Sequence, residues 1–232
     1  MKLIVLKEEI NKMKKKGIMI LVITLCITSL SLTGCIKEET IEYQVTFNAT
    51  WSQETHPDDF PDDPHFSGLI GASHNQNVTF WEIEELASPG IKNMAETGSK
   101  DPLTKEINLA RLKRTALDLI SGGGIQTSPD SITVTVEVSE NYPLVTLVTM
   151  IAPSPDWFVG VTGLNLFENG TFVDEKTVVL YPYDAGTDSG ITYTSPDEPT
   201  EPPVPIYQLD EYPFIYEEET VPLGSFVFTK IE

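Results

Sequence analysis

From Ile41 the chain alternates. In IEYQVTFNATW, Ile41, Tyr43, Val45 and Phe47 stand against polar neighbours, the period of a strand with one face buried. ITVTVEV repeats the pattern, with Ile132, Val134, Val136 and Val138 on one face and Thr133, Thr135 and Glu137 on the other. The run PLVTLVTMIA does not alternate; it is apolar on both sides and β-branched, as a strand covered on both faces must be. Further strands are expected at 78–83 (VTFWEI), 159–167, 171–180, 191–194, 206–209 and 225–231.

Helical spacing interrupts this series twice. Ser88 before Pro89 has the cap-then-proline order of a helix start, and IKNMAETG closes on Gly98. A second helix opens at Asp101-Pro102. Leu103, Ile107, Ala110, Leu117 and Ile120 recur at its period, Leu109, Leu112 and Ala116 widen the stripe, and Gly122 to Gly124 end it. SPDEPTEPPVP, residues 195–205, reads as an extended, exposed connector. Eight or so short strands with an inserted helix predict a mainly β, antiparallel sandwich.

The 232 residues suit one domain behind a targeting segment. A Lys-rich start leads into the apolar run Gly17 to Leu32, which is short for a membrane span and ends in LTGC. Those four residues resemble the lipobox of prokaryotic lipoproteins, which implies cleavage before Cys35 and a lipid anchor on its thiol; the alternative is an uncleaved anchor helix. The expected organisation is a signal peptide over 1–34, a lipidated tether over 35–42 and a domain over 43–232. Either way the domain is extracytoplasmic, held on the outer face of a membrane. Cys26 lies in the discarded run and Cys35 carries lipid, so the mature chain has no thiol for a disulfide, a zinc site or a nucleophile.

Charge excludes some partners. Of 15 basic and 35 acidic residues, six Lys and two Glu fall within 1–34, leaving 9 against 33 and a net charge of -24. A surface of that sign does not bind nucleic acid or anionic lipid directly, and it attracts divalent cations.

Three acids stand out by position. PSPDW follows the apolar run, so Asp156 sits where a strand ends; DAGTDSG places Asp184 and Asp188 in a glycine-turned loop between two more strands. If the intervening strands pair, these loops meet at one end of a sheet. Two carboxylates about 4 Å apart repel by roughly 4 kcal/mol at an effective dielectric of about 20, so such a group takes up protons or binds a cation. With no His or Cys in either loop the donors suit Ca²⁺, Mg²⁺ less well. The plain alternative is a pair of solvated Asp-Gly turns. His56, His65 and His74 fall at nine-residue intervals in a Pro-rich stretch, where they are a zinc site or simply hydrogen-bonded loop residues.

The succession TWS, HPDDFP, HFSGLIGASHN, ASPGIKNMAETG, MIAPSPDWFVGV and LYPYDAGTDSGITYTSP resembles the spondin N-terminal domain family of extracellular matrix proteins (F-spondin/mindin-like), over essentially the whole mature chain. The resemblance implies an eight-stranded antiparallel β-sandwich, one or two helices inserted, with Ca²⁺ at one end. It assigns the ligands to Asp156, Asp184 and Asp188, and by position to Glu137. Members from animals pair cysteines; here Phe167 stands near such a position, and the further repeats of those proteins are missing from this sequence.

Three functions are then expected to compete. The first is a lipid-anchored calcium module for adhesion or for binding an extracellular protein or glycan, with Trp157 and Phe158 either forming an apolar ridge beside the ion or belonging to the core. The second is a calcium-dependent membrane-surface module, which the net charge opposes. The third, a metal-dependent hydrolase with Asp156 or Glu137 as general base, lacks any supporting His, thiol or Ser-His-Asp set. A non-enzymatic role is expected.

Overall fold

The computed structural model describes residues 8, 9, 11–14 and 38–231. Of the N-terminal unit, residues 1–39, only the helical residues 8, 9 and 11–14 and residues 38 and 39 of the tether are described; Cys26, Cys35 and the lipobox lie outside the described residues. Among the described residues no helix is long and apolar enough to cross a membrane.

The second unit, residues 40–232, contains in chain order β1 (Ile41–Ala49), β2 (His65–Phe66), β3 (Ile70–His74), α1 (Pro89–Thr97), α2 (Asp101–Leu112), β4 (Ala116–Ser121), β5 (Ser131–Val138) and β6 (Leu144–Ala152). It continues with β7 (Trp157–Asn165), β8 (Phe167–Glu168), β9 (Thr171–Phe172), β10 (Glu175–Leu180), β11 (Tyr183–Asp184), β12 (Tyr207–Gln208), β13 (Ile215–Tyr216), β14 (Glu219–Thr220) and β15 (Gly224–Lys230). One sheet runs β10-β15-β1-β5. The other runs β12-β11-β7-β6-β3-β4, with β2 beside β6. All the pairings are antiparallel.

The alternating residues behave as their period dictates. Tyr43, Val45 and Phe47 of β1, Val136 and Val138 of β5, and Phe226 and Phe228 of β15 point inward against Val145, Leu147 and Ile151 of β6 and Val159 and Val161 of β7. That is the core of a β-sandwich. The unalternating run of β6 is explained by a third layer: Val148, Met150 and Ala152 leave its other face and meet Ile91, Met94, Leu103 and Ile107 of the two helices. Each of these Val, Leu, Ile, Met and Phe side chains, fully buried, contributes about 1.5–3 kcal/mol by area.

Three expectations need correction. The second helix stops at Leu112, because Arg114 turns the chain with a left-handed φ of 58°, and Ala116–Ser121 pairs with β3 as a strand. Leu117 and Ile120 fit both periods; the hydrogen bonds offered by β3 decide between them. VTFWEI is irregular, with Phe80 and Trp81 buried on the helix side. The strand of that region is instead IGASH, buried throughout and small at its centre, since a Cβ at Gly71 would meet the Thr146 carbonyl oxygen at 1.9 Å. Residues 191–194 form a turn, not a strand. The helix start at Ser88 is as expected, its hydroxyl accepting from the Ile91 N–H at 3.1 Å.

Candidate metal centre

Asp156 ends the tight turn after β6, and Asp184 closes β11. These two loops meet, though not through a hairpin: after β7 the chain crosses to the other sheet as β10, then returns as β11 to lie along β7. The return sets Asp184 opposite Trp157 and Tyr183 opposite Phe158. Ala185 N–H donates to the Asp156 carbonyl at 3.2 Å. The connector 195–205, exposed as its composition predicts, fastens the second loop from outside: Val204 N–H donates to the Gly186 carbonyl and Thr200 N–H to that of Thr187. Gly186 has φ of 73°, and a Cβ there would stand 2.0 Å from the Val204 carbonyl oxygen, so only glycine lets this strap close.

All three carboxylates are buried. Asp156 Oδ2 accepts from Thr187 N–H (2.7 Å), Thr187 Oγ1 (3.1 Å) and Asp188 N–H (3.0 Å). Its other oxygen, Oδ1, has no partner and is the only carboxylate oxygen so placed among the described residues. Asp184 Oδ1 accepts from Gly186 N–H at 2.7 Å, and Oδ2 from the Trp157 indole at 3.2 Å; the Tyr207 hydroxyl donates to the same carboxylate. Asp188 caps its own turn, taking Gly190 N–H on Oδ1 and, from the connector, Glu198 N–H on Oδ2, each at 2.8 Å.

Burial raises the Asp156 carboxyl above its ordinary range, against the pull of the Thr187 and Asp188 N–H groups. Burial and then the charge of Asp156 push Asp184 up to about 7. None of the ion pairs among the described residues involves these three acids.

Donor chemistry suits a hard cation: oxygen atoms only, one buried and unpartnered, and among the described residues no basic side chain paired with them. Nevertheless, among the described residues no three His, Cys, Asp or Glu side chains are arranged to hold a metal ion, so the acids are neighbours without forming a finished cage. Asp188 Oδ1 and Oδ2 and Asp184 Oδ1, each taking a single backbone donor, keep a second lone pair for an ion, whereas Asp156 Oδ2, with three donors, offers none and leaves Oδ1 as that residue's donor.

Glu137 is not brought to this group. It is exposed on the outer face of β5, between the buried Val136 and Val138, and pairs with Glu42. The opposite end of that pairing, Ser131 with Asn48, leads into Trp51, which stacks at 5.2 Å on Tyr193 and through it reaches Trp157. Six residues of strand, roughly 20 Å, separate Glu137 from that end. Trp157 and Phe158 are core residues and form no ridge: Trp157 packs edge-on against Phe214 at 5.1 Å and Phe158 against Trp81 at the same spacing.

The histidines stay apart, each in its own hydrogen bonds. His56 meets Thr55 Oγ1 and the Val221 carbonyl, His65 the Asp63 carbonyl, and His74 the Asn75 carbonyl and Thr146 Oγ1. Sequence reasoning missed Thr187 and Tyr207 as carboxylate partners. Thr187 could have been found from the turn chemistry of Gly-Thr-Asp; nothing local marks Tyr207, which arrives from a separate strand.

The Spondin_N family model matches residues 41–218. Spondin-2 of Rattus norvegicus is 36% identical over 172 residues, 72% of this chain and 52% of that protein. Spondin-2 of Homo sapiens is 34% identical over the same length, and Spondin-1 of Gallus gallus 36% identical over 184 residues, 76% of this chain but 23% of that protein. The chain thus spans about half the length of the Spondin-2 relatives and a smaller share of Spondin-1. A β-sandwich whose matched stretch runs from β1 through the acidic turns and beyond β12, with this degree of identity, belongs to the spondin N-terminal domain family.

Proposed function

We propose that this domain is a non-enzymatic, extracytoplasmic ligand-binding module of the adhesion type, organised at one end by calcium and held to a membrane through lipid on Cys35. The observation that carries the calcium reading is the buried, unpartnered Oδ1 of Asp156 beside two further carboxylates that no cation neutralises. Asp156, Asp184 and Asp188 would hold the ion; Glu137 is outside the set. Calcium would supply charge neutralisation and rigidity to the two turns and their strap, fixing the surface they present. The lipobox-like LTGC and the Lys-rich start support the anchor, and the family relationship supports extracellular ligand binding, a protein or glycan being the expected partner class.

Calcium titration of residues 38–232 by calorimetry tests this. One site is expected, with Kd roughly 10⁻⁴ M or somewhat tighter, as in extracellular modules. Asp156→Asn should remove it. Equal heats from the wild type and the variant would end the calcium reading. Mass spectrometry of the full chain expressed in a bacterium should show cleavage before Cys35 and a diacylglyceryl adduct; an unmodified cysteine would end the anchor.

A further inference from the structure

Beside the three buried carboxylates is a cavity of about 230 Å³ whose walls include Trp157, Tyr207, Tyr212, Asp184, Asp188 and Glu211. It is several times the ~30 Å³ occupied by one water, so it has room for a side chain and not only for an ion. Its walls are aromatic and acidic together. Among the described residues no Lys or Arg lines it.

The sequence explains why. No basic residue occurs from Thr177 to Thr229, the stretch that supplies every wall residue but Trp157, nor from Ile41 to Ile91, which brings Asp58 and Asp59 near Tyr212. The domain's basic groups are elsewhere: Lys92, Lys105 and Arg111 on the helices pair with Glu96, Asp101 and Asp118, while Lys176 and Lys230 pair with Glu168 and Asp174. Two positive charges from calcium would leave this end negative, since Asp156, Asp184, Asp188 and Glu211 already sum to four. The rims of the cavity, Tyr207, Tyr212 and Ile191, are exposed.

We infer that this cavity receives an arginine or lysine side chain projecting from a protein partner. The aliphatic stem lies on the tyrosine rings and the cationic head faces Glu211, Asp184 and Asp188. Aromatic faces and carboxylates both attract such a head, and a guanidinium stacks on a ring while it bonds to a carboxylate. The inference rests on reading the domain as a ligand-binding module and adds the chemistry of what is bound.

The test uses residues 38–232, titrated by calorimetry at low ionic strength with acetyl-Gly-Arg-Gly-amide and with the citrulline peptide of the same shape and no charge, in calcium and in EDTA. The arginine peptide should bind about five- to tenfold more tightly than the citrulline peptide, a ratio that falls as salt is added. Glu211→Gln and Tyr212→Ala, both outside the proposed ion ligands and with exposed side chains, should each weaken it about two- to fivefold with calcium affinity unchanged. Equal binding of the two peptides, absence of binding by either, or indifference to both substitutions overturns the inference. Arginine selectivity without calcium binding upholds the inference and refutes the calcium reading alone; the reverse refutes the cavity's role alone. Spermidine binding as tightly as the arginine peptide overturns the protein partner.

Discussion

His74 and Asp156 are buried alike and end differently. His74 lies on β3 at the edge of the helix-covered layer, and both of its ring nitrogens have partners, the Asn75 carbonyl and Thr146 Oγ1. Burial lowers its pKa, so it sits there neutral and complete. Asp156 lies at the other pole of this comparison. Three donors crowd one oxygen and none reaches the second, while burial raises its pKa. A buried polar side chain marks a site for something else only when its hydrogen bonding is left open, and the titration of the two regions follows from that difference.

The two regions lean in opposite directions with pH. Asp184, raised to about 7, holds a proton in the folded protein between its ordinary pKa and 7 that the unfolded chain has released. In EDTA this group therefore stabilises the fold below pH 4 to 5, and its contribution is lost as pH rises to 7. The rise from its ordinary range to about 7 caps the effect at about 4 kcal/mol, and relaxation of the turn will reduce it. Chemical denaturation of the wild type and Asp184→Asn across pH 4.5 to 8 should show the variant gaining on the wild type as pH rises; a constant difference would break the comparison. The histidines run the other way. His56 and His74, lowered by burial, bind protons more readily in the unfolded chain, so their contribution is lost as pH falls below about 6.5.

Calcium should reverse the first of these trends. An ion at a hundred times its Kd adds about 2.7 kcal/mol, which for a domain of this size raises Tm by roughly 5–10 °C. Differential scanning calorimetry at pH 7.5 should register that rise in the wild type and none in Asp156→Asn. A rise in the variant equal to that of the wild type would show that the ion, if any, binds elsewhere.

The satisfied region predicts a smaller and calcium-independent effect. His74→Phe leaves Thr146 Oγ1 without its ring partner and the Asn75 carbonyl with only the long bond from the Val78 N–H at 3.5 Å, a cost of about 1–3 kcal/mol, with calcium affinity unchanged. Urea denaturation with and without calcium measures both. A change in calcium affinity would mean that the two regions are coupled, and the contrast between them would be lost.

What the chain disclosed in advance follows the same division. Wherever one face of a strand is wet, as in β1 and β5, alternation located the strand and its inward side chains. Where both faces are buried and the central residues are small, as in IGASH, nothing alternates and the strand carries no periodic mark. Arg114's left-handed turn carries no sequence mark, so the second helix ran on into β4. At the site, Asp156, Asp184 and Asp188 were legible because a strand end and two glycine turns fix them locally. Tyr207 and the strap of residues 198–204 were not, because they reach the carboxylates only through the tertiary path that brings β12 beside β11.

Glu137 sharpens the contrast by its lack of effect. Counting along the family pattern assigns it to the ion, yet the register of β5 turns it outward beside Val136 and Val138, with Glu42 across the strand pair. An exposed side chain in that position is worth within about 0.5 kcal/mol, and replacing one of two facing acids relieves a little repulsion. Glu137→Gln should therefore leave calcium affinity and the calcium-induced rise in Tm at wild-type values, with stability unchanged or slightly higher. A tenfold loss of affinity would require β5 to slip by one residue, which would drive Val136 and Val138 into water and bury Glu137 and Thr135 in the sandwich core.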